Sequence, residues 1–204
     1  MNSKRILVLG IGNLLWADEG FGVRCVESLN ADWTFPAHVT LMDGGTQGLY
    51  LLPYVQEADC LLVFDAVDYG DPAGTLREVV GDQVPRFMGA KKMSLHQTGF
   101  QEVLMAAELT GKLPAELVLI GVQPEELEDY GGSLRDAVKA QMAPAIDTAL
   151  TWLQRWGAEG QRRTEQETLL TDRALAMDVY EGERPSADQA YRLGDARFLN
   201  MEAN

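Results

Sequence analysis

Arg5-Ile6-Leu7-Val8-Leu9-Gly10-Ile11-Gly12-Asn13 is the stretch whose reading decides the fold. Its apolar run is continuous and stops at a glycine, which is the pattern of a strand buried on both faces. Strands of that kind belong to parallel sheets with helices on either side. Working outward, residues 38–43, 60–65 and 117–122 read as further strands, and residues 74–80 alternate enough to form an edge strand. Between the strands lie helical patterns. Phe21, Val23, Val26 and Leu29 recur at mostly helical spacing within residues 19–30, with Asp18 as an N-cap or first-turn acid. Residues 46–57 read as helical despite Pro53, and residues 99–109 form another helix. Leu134, Val138, Met142, Ile146, Leu150 and Leu153 predict one long packing helix over residues 133–156.

Strand and helix alternate, so the expected class is α/β, a mostly parallel five-stranded sheet with helices on both faces. Ligands collect beyond the carboxyl ends of the strands in such sheets. Gly10, Asp43, Asp65 and Val122 all end predicted strands and should line one rim. The 204 residues suit one domain, placed at 1–160. Residues 161–204 lack a sustained period and read as a flexible or loosely docked tail.

Composition narrows the function classes. The chain is 46% hydrophobic, and no stretch reaches the roughly 20 apolar residues of a membrane span, so the expected location is the cytoplasm without membrane insertion. A net charge of −14 repels phosphate backbones and argues against a nucleic-acid partner, while a basic protein or a cationic metal remains compatible. Cys25 and Cys60 have no metal-site spacing and read as buried thiols. Leu15 stands where a dinucleotide loop would place its third glycine, so the glycines after the first strand read as a tight turn that carries the chain back across the rim.

Three chemistry-bearing positions come from separate strand–helix connections. Glu19 follows the glycine turn, and its neighbour Asp18 points about 100° away if both are helical. Asp65 closes an apolar strand, where a carboxylate is either a cap for the next turn or a functional group. His96 lies in the polar loop 94–98, whereas His38 opens a strand near the opposite end of the sheet. Together Glu19, Asp65 and His96 form a mixed oxygen and nitrogen donor set of the kind that suits nickel or zinc. No serine elbow, paired-histidine helix or cysteine–histidine nucleophile pattern is present. Two carboxylates sharing a proton to activate water remain an option.

Residues 6–24, Asp43-Gly44-Gly45-Thr46-Gln47-Gly48, Asp65-Ala66, His96-Gln97 and Gly121-Val122-Gln123-Pro124-Glu125 occur in the order that resembles the hydrogenase maturation endopeptidases, most closely those serving uptake hydrogenases. The likeness spans about residues 4–157. It implies a three-layer, doubly wound sheet and an endopeptidase that removes the C-terminal extension of the nickel–iron hydrogenase large-subunit precursor after nickel insertion. It further implies that Glu19, Asp65 and His96 are the metal-binding and catalytic positions and that Asp43 shapes the cleft or assists cleavage. The nickel would be supplied by the substrate and act as the recognition signal. The tail beyond about residue 160 departs from the usual family length and is a candidate contact for the large subunit or another maturation factor. A non-catalytic nickel-site chaperone would share every ligand, and cleavage alone separates the two. A nucleotide-binding enzyme is the third alternative.

Overall fold

The computed structural model describes residues 3–88, 95–164, 170 and 172–182, and the side chains of residues 86–88 and 95–98 fall outside it. β1 (Ile6–Ile11) is buried at every position, as its unbroken apolar run requires. A 3-10 turn at Ala17–Gly20 leads into α1 (Phe21–Asp32), followed by a two-residue strand β2 (Trp33–Thr34) and by β3 (Val39–Gly45). A second 3-10 turn, Gly48–Leu51, runs into α2 (Leu52–Glu57), where Pro53 sits in the first turn and costs no helix hydrogen bond. The order continues through β4 (Cys60–Ala66), β5 (Leu76–Val80), α3 (Gln83–Met88), α4 (Leu95–Leu109) and β6 (Glu116–Val122). Then come α5 (Asp136–Lys139), α6 (Met142–Arg155), β7 (Gln161–Arg162) and α7 (Met177–Gly182).

The main sheet has five strands in the order β3-β1-β4-β6-β5. All neighbours are parallel except β5, which runs antiparallel along the edge of β6. Strand alternation divides the core in two. Val8, Leu62, Phe64 and Ile120 face α1 and α6, while Leu9, Leu61, Val63 and Leu119 face α2 and α4. Phe21 and Phe64 are fully buried on the first side, each worth about 1.5–3 kcal/mol of transfer free energy. The result is the expected doubly wound α/β arrangement with helices on both faces.

Helix boundaries differ from the sequence expectation. The first helix runs 21–32, residues 46–57 become α-helical only at Leu52, and α3 was not anticipated. Two further differences have identifiable causes. The long helix over 133–156 is broken into α5 and α6 by a turn at Ala140–Gln141. Pro144 explains the break, because it has no N–H to return to the Ala140 carbonyl, and the ladder resumes with Ala145 N–H donating to Gln141 O at 3.0 Å. In the other case α4 begins at Leu95 instead of Gly99, so His96 lies in the first helical turn and not in a preceding loop. Gly99 is interior because it packs closely: a Cβ there would stand 3.4 Å from the Gly48 Cα. The strands β2 and β7 pair antiparallel over two residues each, too few to leave a periodic signal.

That small ribbon attaches the chain beyond residue 160. Arg163 donates from its guanidinium to the carbonyls of Asn30 (3.1 Å) and Trp33 (3.0 Å), at the C-terminal end of α1 where cations are favoured. Further on, Glu181 accepts from Ser133 and forms an ion pair with Lys139 at 2.7 Å. Arg24, buried on α1, donates to the Leu175 carbonyl and lies 5.6 Å from the Tyr180 ring. Leu170 and Met177 pack on the α1/α6 side of the core. The rest of the tail reading, at 165–169, 171 and 183–204, lies outside the described residues.

What positions α1 is a contact of backbone on backbone. A Cβ at Gly22 would stand 2.2 Å from the carbonyl oxygens of both Ile11 and Phe64, and one at Gly10 would stand 2.4 Å from Gly22 O. Gly12 turns the chain with φ +138°, and a Cβ there would meet Glu19 O at 1.8 Å. Neither backbone can yield without moving a central strand. Gly22→Ala is therefore expected to destabilise the protein by about 3 kcal/mol or more. Gly111→Ala, at a positive φ but in open space, should cost only about 1–2 kcal/mol. Paired denaturant melts check the difference, and equal losses would show that the helix–sheet contact can relax.

Candidate functional site

The carboxyl end of the sheet gathers the predicted positions from different elements. Asp65 is the sixth residue of β4, fully buried, and shares the face of Leu61 and Val63 toward α4. Glu19 sits in the 3-10 turn that Gly12 and Gly22 press against the ends of β1 and β4, and it is half-buried. His96 is the second residue of α4, whose Gly99 abuts Gly48 in the turn after β3. The backbone thus brings the helix end carrying His96 to the same rim, although its side chain is outside the described part. Among the described residues no three His, Cys, Asp or Glu side chains are grouped to hold a metal ion.

Asp43 reaches this rim from the other side. It is in register with Gly10 and, across β1, with Phe64, so it shares the α1 face of Val39 and Leu41. Asp43 and Asp65 consequently project from opposite faces of the sheet. Burial raises the Asp43 pKa above its ordinary value; the Gly45 N–H opposes the rise, Glu27 adds to it and Arg24 reduces it. Between the ordinary value and the raised one, the folded protein keeps a proton that the unfolded chain has released. Stability therefore falls as pH rises through that window. Asp43→Asn should raise the melting temperature at pH 7 and give little gain near pH 3, where the carboxyl is largely protonated in both states. A calorimetric pH series would read this, and a loss at pH 7 would refute it.

The cysteines offer no nucleophile. Both Cys25 and Cys60 are buried and free. Burial pushes the Cys25 thiol well up and Cys60 to about 11, so both stay protonated near neutrality.

Asp18 does not cap α1. It is fully buried, and its carboxylate accepts the N–H groups of Glu125 and Glu126 at 2.8 Å and of Arg135 at 2.7 Å. Its own N–H donates to Glu126 O, and Gly131 N–H donates to Leu15 O. Trp16 meets Tyr130 edge to face at 5.2 Å. One side chain thus fastens the loop after β6 to the turn that carries Glu19. Sequence reading missed this role because the partners are backbone groups more than 100 residues away, and an acid before a helix reads first as a cap. The same turn contains Ala17 at φ +36°, an uncommon value for a residue other than glycine. Asp18→Ala would strand three N–H groups and is expected to cost about 3 kcal/mol or more, lowering the melting temperature by roughly 6–12 °C. A thermal melt within 2 °C of wild type (about 0.5–1 kcal/mol) would mean that water replaces the carboxylate.

Comparisons with known proteins bear on the family and the fold. The hydrogenase maturation protease family profile matches residues 23–152. The hydrogenase expression/formation protein HupM of Azotobacter chroococcum mcd 1 is 61% identical, over 97% of this chain and 95% of that protein. The hydrogenase 2 maturation protease of Escherichia coli K12 is 41% identical, over 76% of this chain and 94% of its own length. The solved structure of the E. coli hydrogenase maturating endopeptidase HybD superimposes with a TM-score of 0.74 at 39% identity, covering 78% of this chain and 98% of that one. The extra length beyond residue 160 is therefore shared with relatives of the first kind.

Proposed function

The chain belongs to the hydrogenase maturation protease family and is a peptidase, and from that membership we propose that it removes the C-terminal extension of a nickel–iron hydrogenase large-subunit precursor, one serving an uptake hydrogenase. The observation that carries the reading is the rim itself. Asp65 is the penultimate residue of a fully buried central strand, Glu19 is held over the strand ends by glycine contacts, and α4 starts at the same edge with His96 in its first turn.

In this reading the metal is part of the substrate. Glu19, Asp65 and His96 supply two carboxylates and an imidazole to nickel already held by the precursor, which suits a borderline divalent ion. Engagement of that ion is the signal that insertion is complete. The ion also polarises the scissile carbonyl or activates water. Asp43, on the α1 face, shapes the cleft from the other side of the sheet. Other maturation factors are further candidate partners, and the proposed location is the cytoplasm.

The test is mass spectrometry of the cognate precursor, with and without nickel, after incubation with this protein. Loss of a short C-terminal peptide from the nickel-loaded form alone is expected. Cleavage of both forms would keep the peptidase and remove nickel as the signal, and no cleavage of a loaded precursor would leave a non-catalytic nickel-site chaperone. Glu19→Ala and Asp65→Ala should each lower processing by about a hundredfold or more. Wild-type trimming by either variant would remove that residue from the site.

A further inference from the structure

β3 is an edge of the main sheet, with β1 on one side and, among the described residues, no strand on the other. The Ile6 N–H donates to the His38 carbonyl at 2.9 Å, and the register pairs Ile6 with Val39. In a parallel ladder alternate residues of a strand bond the same neighbour. Thr40 and Met42 therefore turn their backbone groups toward β1, while Val39, Leu41 and Asp43 turn theirs outward. The Val39 N–H is taken by the Pro36 carbonyl at 2.9 Å. The Val39 carbonyl, both backbone groups of Leu41 and the Asp43 N–H have no partner among the described residues. Open edges of this kind recruit other chains, and proteins usually guard them with charge or proline. The opposite edge, β5, carries Arg77 and Glu78. Val39–Met42 of β3 carry neither charge nor proline.

A pocket of about 260 Å³ opens beside the start of this edge, bordered by Ile6, Thr40, Tyr54, Glu57 and Ala58. It lies on the α2 side of the sheet. Thr40 is in register with Leu7 and, across β1, with Leu61, both of which pack toward α2 and α4. Arg5 also borders the pocket but is paired with Asp59 at 3.4 Å, so Glu57 sets the sign of the mouth. At its other end β3 runs out at the rim, with Asp43 beside Gly10. The open edge is thus a track of unpaired backbone groups between the rim and a pocket.

We propose that the outer edge of β3 binds the C-terminal extension of the precursor as an added antiparallel strand, with one uncharged or basic side chain of the extension in the pocket. The inference rests on the function proposed above. The extension lies downstream of the scissile bond. A chain that is cut at the rim and continues along β3 must therefore run from the carboxyl end of that strand toward its start. Main-chain hydrogen bonds supply the affinity in such an arrangement, and the pocket supplies the selection. The edge holds the extension equally before and during cleavage, so its loss falls on KM and leaves kcat nearly unchanged.

Steady-state processing of the nickel-loaded precursor tests this in two ways. Thr40→Lys puts a guarding charge at an exposed position beside the pocket and leaves the β1 ladder intact. KM is expected to rise about tenfold, with kcat within about twofold and the melting temperature near wild type. The second test leaves this protein unchanged and places proline in turn at each residue of the precursor's extension. An added strand turns alternate N–H groups toward its neighbour, so KM should rise at every second position along the paired stretch. This scan carries the test if Thr40→Lys fails to fold. Wild-type KM in folded Thr40→Lys, or a scan without the two-residue period, would overturn the proposal. So would a wild-type dimer that Thr40→Lys dissociates while KM stays unchanged, because the edge would then pair with a second copy. If the wild-type protein leaves the loaded precursor uncut, the proposed function itself fails; if it cuts and KM responds to neither change, only the role of the edge fails.

Discussion

The contact on which the rest depends is the seating of the first turn of α1 on the sheet, backbone against backbone at Gly22. Gly10, Gly12 and Gly22 each face backbone atoms at separations that no Cβ could occupy. Helices ordinarily stand about 10 Å from a sheet, because side chains fill the layer between. Here the first turn of α1 comes down onto the ends of β1 and β4, and the preceding 3-10 turn is carried over the strand ends. Glu19 reaches the rim for that reason. A carboxylate on an ordinarily spaced helix would point past it.

A buried acid then joins this turn to the far side of the rim. Asp18 takes three backbone N–H groups from the loop after β6, so the segments 17–20 and 125–135 form one structural unit. The adjoining Gln123 reaches in the other direction, to the loop after β4. Both side chains act through backbone groups, which gives the rim rigidity with little sequence outlay. Of the described chain beyond residue 160, Glu181 braces this unit at Ser133 and Lys139, while Arg163 is fixed at the opposite end of α1. Near-full-length relatives share this extension, whereas the E. coli hydrogenase 2 maturation protease aligns over only 76% of the chain.

The sheet was legible in the sequence because buried parallel strands leave an unmistakable mark: continuous apolar runs that end in glycine or aspartate, as in residues 6–10 and 60–65. The four parallel strands of the main sheet were found this way, its antiparallel edge strand by alternation, and the rim followed because the carboxyl ends of parallel strands face one direction. The helices were less legible: four were read, whereas the described residues form seven, with α3 and α7 unanticipated. Pro144 interrupts a period that apolar spacing carries straight through, and Gly99 looks like a boundary until its close neighbour Gly48 is known. Glu19, Asp65 and His96 were singled out by residue type and by their place after strands.

The sequence by itself thus determined the α/β class, the edge at which the strands' carboxyl ends meet, and the residue types available there. These follow from periodicity and composition, which are local. Tertiary structure alone decided that Asp18 holds a loop instead of capping a helix, that Asp43 and Asp65 stand on opposite faces of the sheet, and that Tyr69 lies in the gap left by Gly121. Each depends on strand register or on a contact between residues tens to more than a hundred positions apart. Such pairings are set by the packing of the whole chain, and no local pattern records them.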